Sequence, residues 1–330
     1  MNLNNKGNAM ANASIIPIGT TRLGPGWHEG IAMGTYLADP AASASKLWKL
    51  HSTTPAHLHH DLENPVDDTT DPKALGNVLH TAVYEPDELD GRYVVLGTCG
   101  GKKKDGERCS HQGSIYRDGQ SFCKTHDPAK GQPELPGIHT VAGGMKAQAV
   151  AMKEALFAHP TAGPLLRAPG PRELTVVWQD EETGLWCRIR PDQVVRDPPT
   201  LPAPFHESEV NLKSTGRSAS HESFTRHAHD LGYYFRAAFY RMGLDATGFW
   251  PQNQLYPVVE SAPPHEVIVY RMDEEALAIG EAEVRQALLT LAQCKRTGVW
   301  PGYGPEVHHL TLPHWRLRHI DRLDFIEAAS

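Results

Sequence analysis

The stretch EVNLKST, residues 209–215, sets Glu209, Asn211 and Lys213 two residues apart. On a strand, alternate side chains share a face, so these three polar groups would line one side together. Upstream, CRIRPDQVV places Asp192 on another candidate strand. An acid followed by an acid-x-lysine suits metal-dependent cleavage of a phosphodiester. The carboxylates hold a metal that activates water and stabilises charge on the leaving oxygen, while the lysine orients or deprotonates the nucleophile. Here the middle position is an amide, and a hard cation favours anionic oxygen. An Asp-to-Asn exchange, natural or introduced, keeps the shape and removes the charge. Glu209, one step along the same face, is a partial substitute that lies beyond the usual strand end.

A second constellation is CGGKKKDGERCSHQGSIYRDGQSFCKTH, which holds three of the five cysteines. Cys99, Cys109, Cys123 and His126 make a three-cysteine, one-histidine set suited to tetrahedral zinc, with His111 as a competing fourth ligand. A Gly-rich segment with this little apolar material needs a metal to supply its folding energy. Lys102, Lys103, Lys104 and Arg108 give it a basic surface, open to phosphates or simply to water. Cys187, in a strand, and Cys294, on the apolar face of a helix, read as small core residues.

The chain has 330 residues, five cysteines and a net charge of −7. Five cysteines in this length do not form a disulfide framework. The negative balance argues against a generally basic nucleic-acid coat but leaves room for a local basic groove. No apolar run approaches the length of a membrane span, so the expectation is a soluble cytoplasmic protein with a polar N-terminal tail over 1–30.

The elements that must position these groups follow from periodicity. Ser43 and Ser45 are candidate caps of a helix that stops near Pro55, and KALGNVLHTAVYEP is a helix ending before Pro86. Residues 97–136 are an insertion between an N-terminal helical part, 31–96, and the main core, 137–330. Helical spacing returns over 145–160. ELTVVW and LWCRIRPDQVV, flanking a polar turn at Gly184, predict a hairpin. EVNLKST is a third strand. SHESFTRHAHDLGYYFRAAFYRMG is one long amphipathic helix, with Phe224, Leu231, Phe235 and Ala238 on its apolar face and Arg226, His229, Tyr233, Arg236 and Tyr240 opposite. PHEVIVYRM is a further strand, and a helix over 274–298 closes the chain. His308, His309, His314 and Trp315 read as structural residues tying down the C-terminus. The order indicates an α/β or α+β fold with a central mixed sheet flanked by helices.

From 36 to 315 the sequence resembles the RecE (exonuclease VIII) nuclease-domain family of phages and prophages, in the PD-(D/E)xK superfamily. The landmarks come in order: SASKLWKLHSTTPAH, ALGNVLHTAVYEP, RELTVVWQDEETGLWCRIRPD, NLKSTGRSASHESFTRHAHDLGYYFRAAFY, then KRTGVWPGY and LPHW. The resemblance implies a Mg²⁺- or Mn²⁺-dependent exonuclease that degrades one strand of duplex DNA from a 5′ end. It also implies a ring-like homo-oligomer, a RecT-like annealing partner and a bacterial host cytoplasm. It assigns His80, Glu173, Asp192 and Lys213 to catalytic places. Asn211 stands in the place of the metal-binding aspartate and Arg236 in that of a glutamine. Arg226, Tyr233 and Arg236 are candidate DNA contacts. A protein of the same fold that holds DNA ends or a partner without cutting is the alternative.

Overall fold

The computed structural model describes residues 18–65, 70–130, 138–141, 143–196 and 205–312. The first part runs β1 (Gly26–His28), α1 (Met33–Ala38), β2 (Ala42–Ser43), α2 (Ala44–Ser52), α3 (Pro55–Glu63), α4 (Asp71–Tyr84), α5 (Leu89–Arg92) and β3 (Tyr93–Val95). A small hairpin, β4 (Ile115–Arg117) and β5 (Gln120–Phe122), precedes β6 (His139–Val141), α6 (Gly143–Ala158) and α7 (Ala162–Arg167). Next come β7 (Thr175–Gln179), β8 (Trp186–Ile189), β9 (Gln193–Val195), β10 (Ser208–Val210) and β11 (Lys213–Thr215). The chain continues with α8 (His221–Asp230), α9 (Tyr233–Asp245), β12 (Asn253–Glu260), β13 (Val267–Arg271) and α10 (Glu274–Thr297).

The architecture is mixed α/β, but the expected central sheet is divided in two. One sheet has the order β1-β7-β8-β2. In the other, β12 carries β10 and β11 along one edge and β13 along the other, with β9 outside β10. The hairpin β7–β8 forms as expected, with Val176 opposite Ile189 and Gln179 opposite Trp186. The second strand of that hairpin, however, ends at Ile189 and resumes as β9 in the other sheet. Pro191 falls in the gap, where a residue without an N–H cannot continue a ladder. Asp192 therefore sits at the corner between the two sheets. The segment 1–30, read from sequence as a tail, contributes β1 to the first sheet; residues 1–17 lie outside the described residues.

Strand β12 is missing from the sequence reading, and it is the parallel partner of both β10 and β11. Its Pro257 argued against a strand. In the folded chain, Ser208 pairs with Asn253 and Lys213 with Val258, so the register is continuous and Pro257 falls opposite Leu212. The missing proline N–H lies where pairing between β10 and β11 is interrupted. EVNLKST is thus one strand with a break at Asn211 and Leu212.

One helical reading is corrected. The long helix from 221 is two helices, because Gly232 turns the chain at φ 65°. A Cβ at Gly232 would sit 2.5 Å from the Trp48 ring, so the turn is locked against α2. Leu231, expected on the apolar face, is accordingly exposed. The helix led by Ser43 ends at Ser52, near Pro55 as expected, and Pro55 itself opens α3, where its fixed φ suits the first turn.

The second sheet has helices on both faces. Leu79 of α4, Met152 of α6 and Leu165 of α7 pack with Val210, Leu212 and Leu255 on one side. Phe224 of α8 and Ala238 of α9 pack with Tyr256 and Val258 on the other. Phe235 and Phe239 of α9 join Leu47 of α2 and Leu288 of α10 over the first sheet. Cys187 and Cys294 are buried, as expected of core residues. Trp300 and Tyr303 stack near His59 and His57 of α3, whereas His308 and His309 are exposed and fasten nothing. His314 and Trp315 lie outside the described residues. Among the described residues, no helix is long and apolar enough to cross a membrane.

Candidate active site

Strand alternation does what the sequence required of it. Val210 and Leu212 point into the core against α4, and Glu209 and Asn211 point the other way, toward α9. Because β9 has ended, the main chain of Leu212 has no strand neighbour on that edge. Its N–H donates to Asp192 Oδ2 at 2.7 Å. Its carbonyl accepts from His80 Nε2 at 3.0 Å and from Lys213 Nζ at 3.0 Å. The unpaired backbone of one residue at the strand break thus collects an acid at its N–H and a histidine and a lysine at its carbonyl.

The charged groups are close to one another as well. His80 Nε2 lies 3.6 Å from Asp192 Oδ2, and Nδ1 lies 3.7 Å from Glu173 Oε1. Lys213 Nζ is 3.8 Å from Asp192 Oδ2. Glu173 has φ 48°, and its N–H donates to Asp192 O at 3.0 Å. That left-handed bend, unfavourable for a residue with a Cβ, turns the carboxylate toward His80. Arg190 Nε holds the other Glu173 oxygen at 2.9 Å. Arg190 itself was not singled out from sequence, although it lies in the Arg-Pro-Asp run.

Electrostatics divides the acids. Burial and the charge of Asp192 push the Glu209 carboxyl up to about 8, with Lys213 and the Asn211 amide opposing. Burial also holds Asp192 above its usual range, although His80, Lys213 and the Leu212 N–H pull it down. Glu173 goes the other way: burial opposes its charge, but His80 and Arg190 bring it below the ordinary carboxylate range. Partial burial disfavours the charge of His80, yet Asp192 and Glu173 outweigh it and raise its pKa.

Asn211 donates its amide N–H to Glu209 Oε1, and Glu209 Oε2 is buried without a partner. Glu209 is not beyond the strand end. It lies within β10, opposite Gln254 of β12 and Val194 of β9. Asn211 and Lys213 open onto a cavity of about 220 Å³, lined also by Tyr233, Arg236 and Tyr240 of α9 and by Tyr256. Lys213 Nζ stands 6.0 Å from the rings of both Tyr233 and Tyr256. Arg226 is elsewhere: on α8 it is exposed and paired with Glu222 at 2.8 Å.

Of the sequence candidates, His80, Glu173, Asp192 and Lys213 meet at one place, Asn211 borders it, and Tyr233 and Arg236 overlook it. His80, Glu173 and Asp192 offer ligand atoms within 4.8 Å of one another. Oxygen donors, with one imidazole, suit a hard divalent cation. Cys99, Cys109, Cys123 and His126 form a second set within the same span, 4.8 Å. His126 Nδ1 lies 3.3 Å from Cys123 Sγ and 3.5 Å from Cys99 Sγ. The His111 ring lies 3.2 Å from Cys109 Sγ but is not in the four-ligand group, so the geometry favours His126 as the fourth ligand. Burial disfavours the Cys123 thiolate, but the N–H groups of His126 and Thr125 and the neighbouring Cys99 and His126 side chains bring it down to about 6.

The buried acid carries a pH signature. In metal-free protein the folded state keeps the Glu209 proton up to about 8, whereas its ordinary value is 4.5. Between those values the unfolded chain binds fewer protons than the folded one, so stability is full below the lower value and falls as pH rises through the upper one. Urea midpoints in EDTA are expected to drop across this window, and Glu209→Gln to flatten the drop. An equal slope in both proteins would show that Glu209 is not the titrating group.

A solved structure from Eubacterium rectale, described as that of a candidate exonuclease, is similar to this chain at 10% sequence identity and a TM-score of 0.49. The likeness covers 83% of this chain and 91% of the other. No curated protein matches the sequence. A family profile described as a PDDEXK-like domain of unknown function, DUF3799, matches residues 43–312. This span contains β10, β11 and every group gathered at Leu212, and the chain belongs to that family of PDDEXK-like domains.

Proposed function

We propose that the chain is a metal-dependent DNA exonuclease of the RecE type, acting 5′ to 3′ on duplex ends in phage-type homologous recombination. The observation that carries this reading is the convergence of His80, Asp192 and Lys213 on the Leu212 backbone, with Glu173 joined to them through His80. The residues present fit a divalent cation: Asp192 and Glu173 offer oxygen donors beside the His80 imidazole, and Glu209 Oε2 is a further buried acid oxygen with no partner. Mg²⁺ or Mn²⁺, held by Asp192 and Asn211 beside these groups, would supply Lewis acidity at the scissile phosphate.

The protein's own groups do the rest. Lys213, fixed by the Leu212 carbonyl and by Asp192, places an amino group where an attacking water would be oriented by its ammonium form or would give its proton to the neutral amine. His80, donating Nε2–H to the same carbonyl, fixes the peptide and the Glu173 carboxylate around it. Arg236 and Tyr233, at the cavity, are placed to meet the backbone of a strand entering it. Such contacts read phosphates rather than sequence. A ring-like homo-oligomer and a RecT-like annealing protein belong to this reading as its expected assembly and partner, with a phage or prophage origin and the bacterial cytoplasm as its setting.

Asn211 favours a second reading, in which the protein holds DNA ends without cutting. Its amide brings no charge to the cation and is engaged with Glu209. Loss of one carboxylate at the metal costs several kcal/mol of transition-state stabilisation, at about tenfold in rate for each 1.4 kcal/mol. The chain as written is therefore a weak nuclease. Asn211→Asp is expected to raise Mg²⁺-dependent degradation of linear duplex, followed by a labelled 5′ end, by roughly a hundredfold. Full activity without the change would show that the amide is tolerated. No degradation by either protein would favour the non-cutting reading.

The insertion over 97–136 is proposed to be organised by one structural zinc on Cys99, Cys109, Cys123 and His126. Purified protein is expected to contain about one zinc per chain. Elemental analysis of a Cys123→Ser/His126→Ala double variant should show its loss; retention of the metal would place it elsewhere.

A further inference from the structure

The described part of the insertion, residues 97–130, carries a charge that the rest of the chain does not share. It holds seven Lys or Arg residues against four Asp or Glu, a net +3 in a protein of net −7. A zinc ion on three thiolates and an imidazole would lower this by one and leave the excess in place. Two of the acids are paired internally, Asp127 with Arg117 at 3.3 Å and Glu107 with Lys103 at 3.6 Å. A third, Asp105, accepts the Glu107 N–H at 3.0 Å. Lys102, Lys104, Arg108 and Lys124 are exposed and have no ion-pair partner among the described residues.

The backbone holds these cations in fixed places. Between Cys99 and Cys109 the chain forms a tight hairpin. The Cys109 N–H donates to Gly101 O at 2.9 Å, the Lys103 N–H to Glu107 O at 2.8 Å, and the Gly106 N–H to Lys103 O at 3.0 Å. Gly106, at φ 87°, makes the turn. Lys102 therefore stands directly opposite Arg108, and both side chains leave the same face. Like charges opposed across a pair of strands are destabilising, and neither of these two has an acid to offset it. An arrangement that costs stability and has no internal partner points to an external one. Gly101 also packs on His126, where a Cβ would come within 2.5 Å of the ring carbon Cγ. The loop that carries Lys124 is thereby held against the same hairpin.

We propose that this hairpin is a nucleic-acid contact separate from the cutting centre, which takes the phosphodiester backbone of DNA through Lys102, Lys104, Arg108 and Lys124. Among the described residues of the insertion, no large hydrophobic side chain is exposed. Surfaces that bury against another protein are apolar at their centre and depleted in lysine, whereas phosphates require only well-placed cations. Such a contact adds affinity without reading sequence, and it lets a chain of net −7 hold a polyanion at one local face. The attachment of the insertion fits this use. β3 and β6, which bound it, pair with Tyr93 opposite His139. Lys146 Nζ of α6 donates to Tyr93 O at 3.3 Å, and Gln148 of the same helix donates to Ser261 O at 2.7 Å. The Ser261 N–H in turn donates at 2.8 Å to the carbonyl of Thr215, the last residue of the strand that Lys213 begins. The insertion is thus fastened to the strand that carries the candidate catalytic lysine. The choice of DNA as the ligand rests on the nuclease reading; the cationic face itself does not.

The test uses the full chain as purified, without Mg²⁺, and the fluorescence anisotropy of a labelled linear duplex over a series of salt concentrations. Lys102→Gln/Arg108→Gln removes two exposed charges outside the cutting centre. It should bind duplex about tenfold more weakly than the parent at roughly 0.1 M salt, with the slope of log affinity on log salt smaller by about two. Its melting temperature should equal or exceed that of the parent, because the opposed charges are gone. Arg271→Gln/Arg296→Gln, the same loss of charge on β13 and at the end of α10, should leave the slope unchanged. Equal affinity and slope in the parent and Lys102→Gln/Arg108→Gln overturn the proposal and leave the nuclease reading standing, since the parent still binds DNA. An equal loss in Arg271→Gln/Arg296→Gln assigns the effect to net charge and overturns it too. The second probe is a vesicle of phosphatidylserine and phosphatidylcholine. Vesicle binding that needs Lys102 and Arg108, with no duplex bound, makes the face a membrane contact and overturns the DNA ligand. The expected slope difference in a chain that cuts nothing, even as Asn211→Asp, upholds this contact and removes only the nuclease reading.

Discussion

The hydrogen bond from the Leu212 N–H to Asp192 Oδ2 is the contact on which the candidate centre depends. It exists because two strands stop early. β9 ends after its pairing with β10, and β10 and β11 part at Asn211 and Leu212, opposite Pro257. A buried peptide left without ladder partners must be satisfied by side chains. Asp192, His80 and Lys213 satisfy it, and in doing so they are brought within reach of one another. The same residues that close the backbone account are those that could hold a cation and a water. Structure and chemistry are here the same set of bonds.

That arrangement is costly without a cation. Asp192 and Glu209 are buried acids, both with carboxyls held above their usual range, and one oxygen of Glu209 has no partner. His80, Lys213 and Arg190 compensate part of the charge, and Glu173, with two cationic neighbours, is ionised readily. Asn211 lowers the negative charge by one and gives Glu209 a donor. An amide at this position therefore eases the metal-free fold by one buried charge.

Much of the centre was legible in the sequence because it rests on period two and on turn chemistry. The spacing of Glu209, Asn211 and Lys213 placed them on one face, and the Gly184 turn brought the chain back toward Asp192, although the return strand ends at Ile189 and Asp192 lies at the corner before β9. What the sequence hid is where tertiary contacts overrule local rules. Pro257 masked β12, since only the interruption opposite it makes a proline tolerable in that strand. Gly232 reads as one weak helical residue, and only the Trp48 ring beside it turns the chain. Arg188 and Arg190 look like alternating charges on an ordinary strand. Their burial against Tyr36, and the pairing of Arg190 with Glu173, depend on α1 and on the bend at Glu173, neither of which has a period to read.

In the proposed centre the groups around Leu212 would form one cation site in which Asp192 is a ligand and Lys213 is not. Titration of the zinc-loaded full chain with Mn²⁺, followed by the loss of the free-ion electron paramagnetic resonance signal, tests this without requiring cleavage. Asp192→Asn should weaken Mn²⁺ binding by roughly tenfold or more, the scale on which groups around a bound metal act. Lys213→Met should bind at least as well as the parent, because it removes a competing positive charge 3.8 Å from Asp192. Mn²⁺ binding that is unchanged by Asp192→Asn would contradict the account.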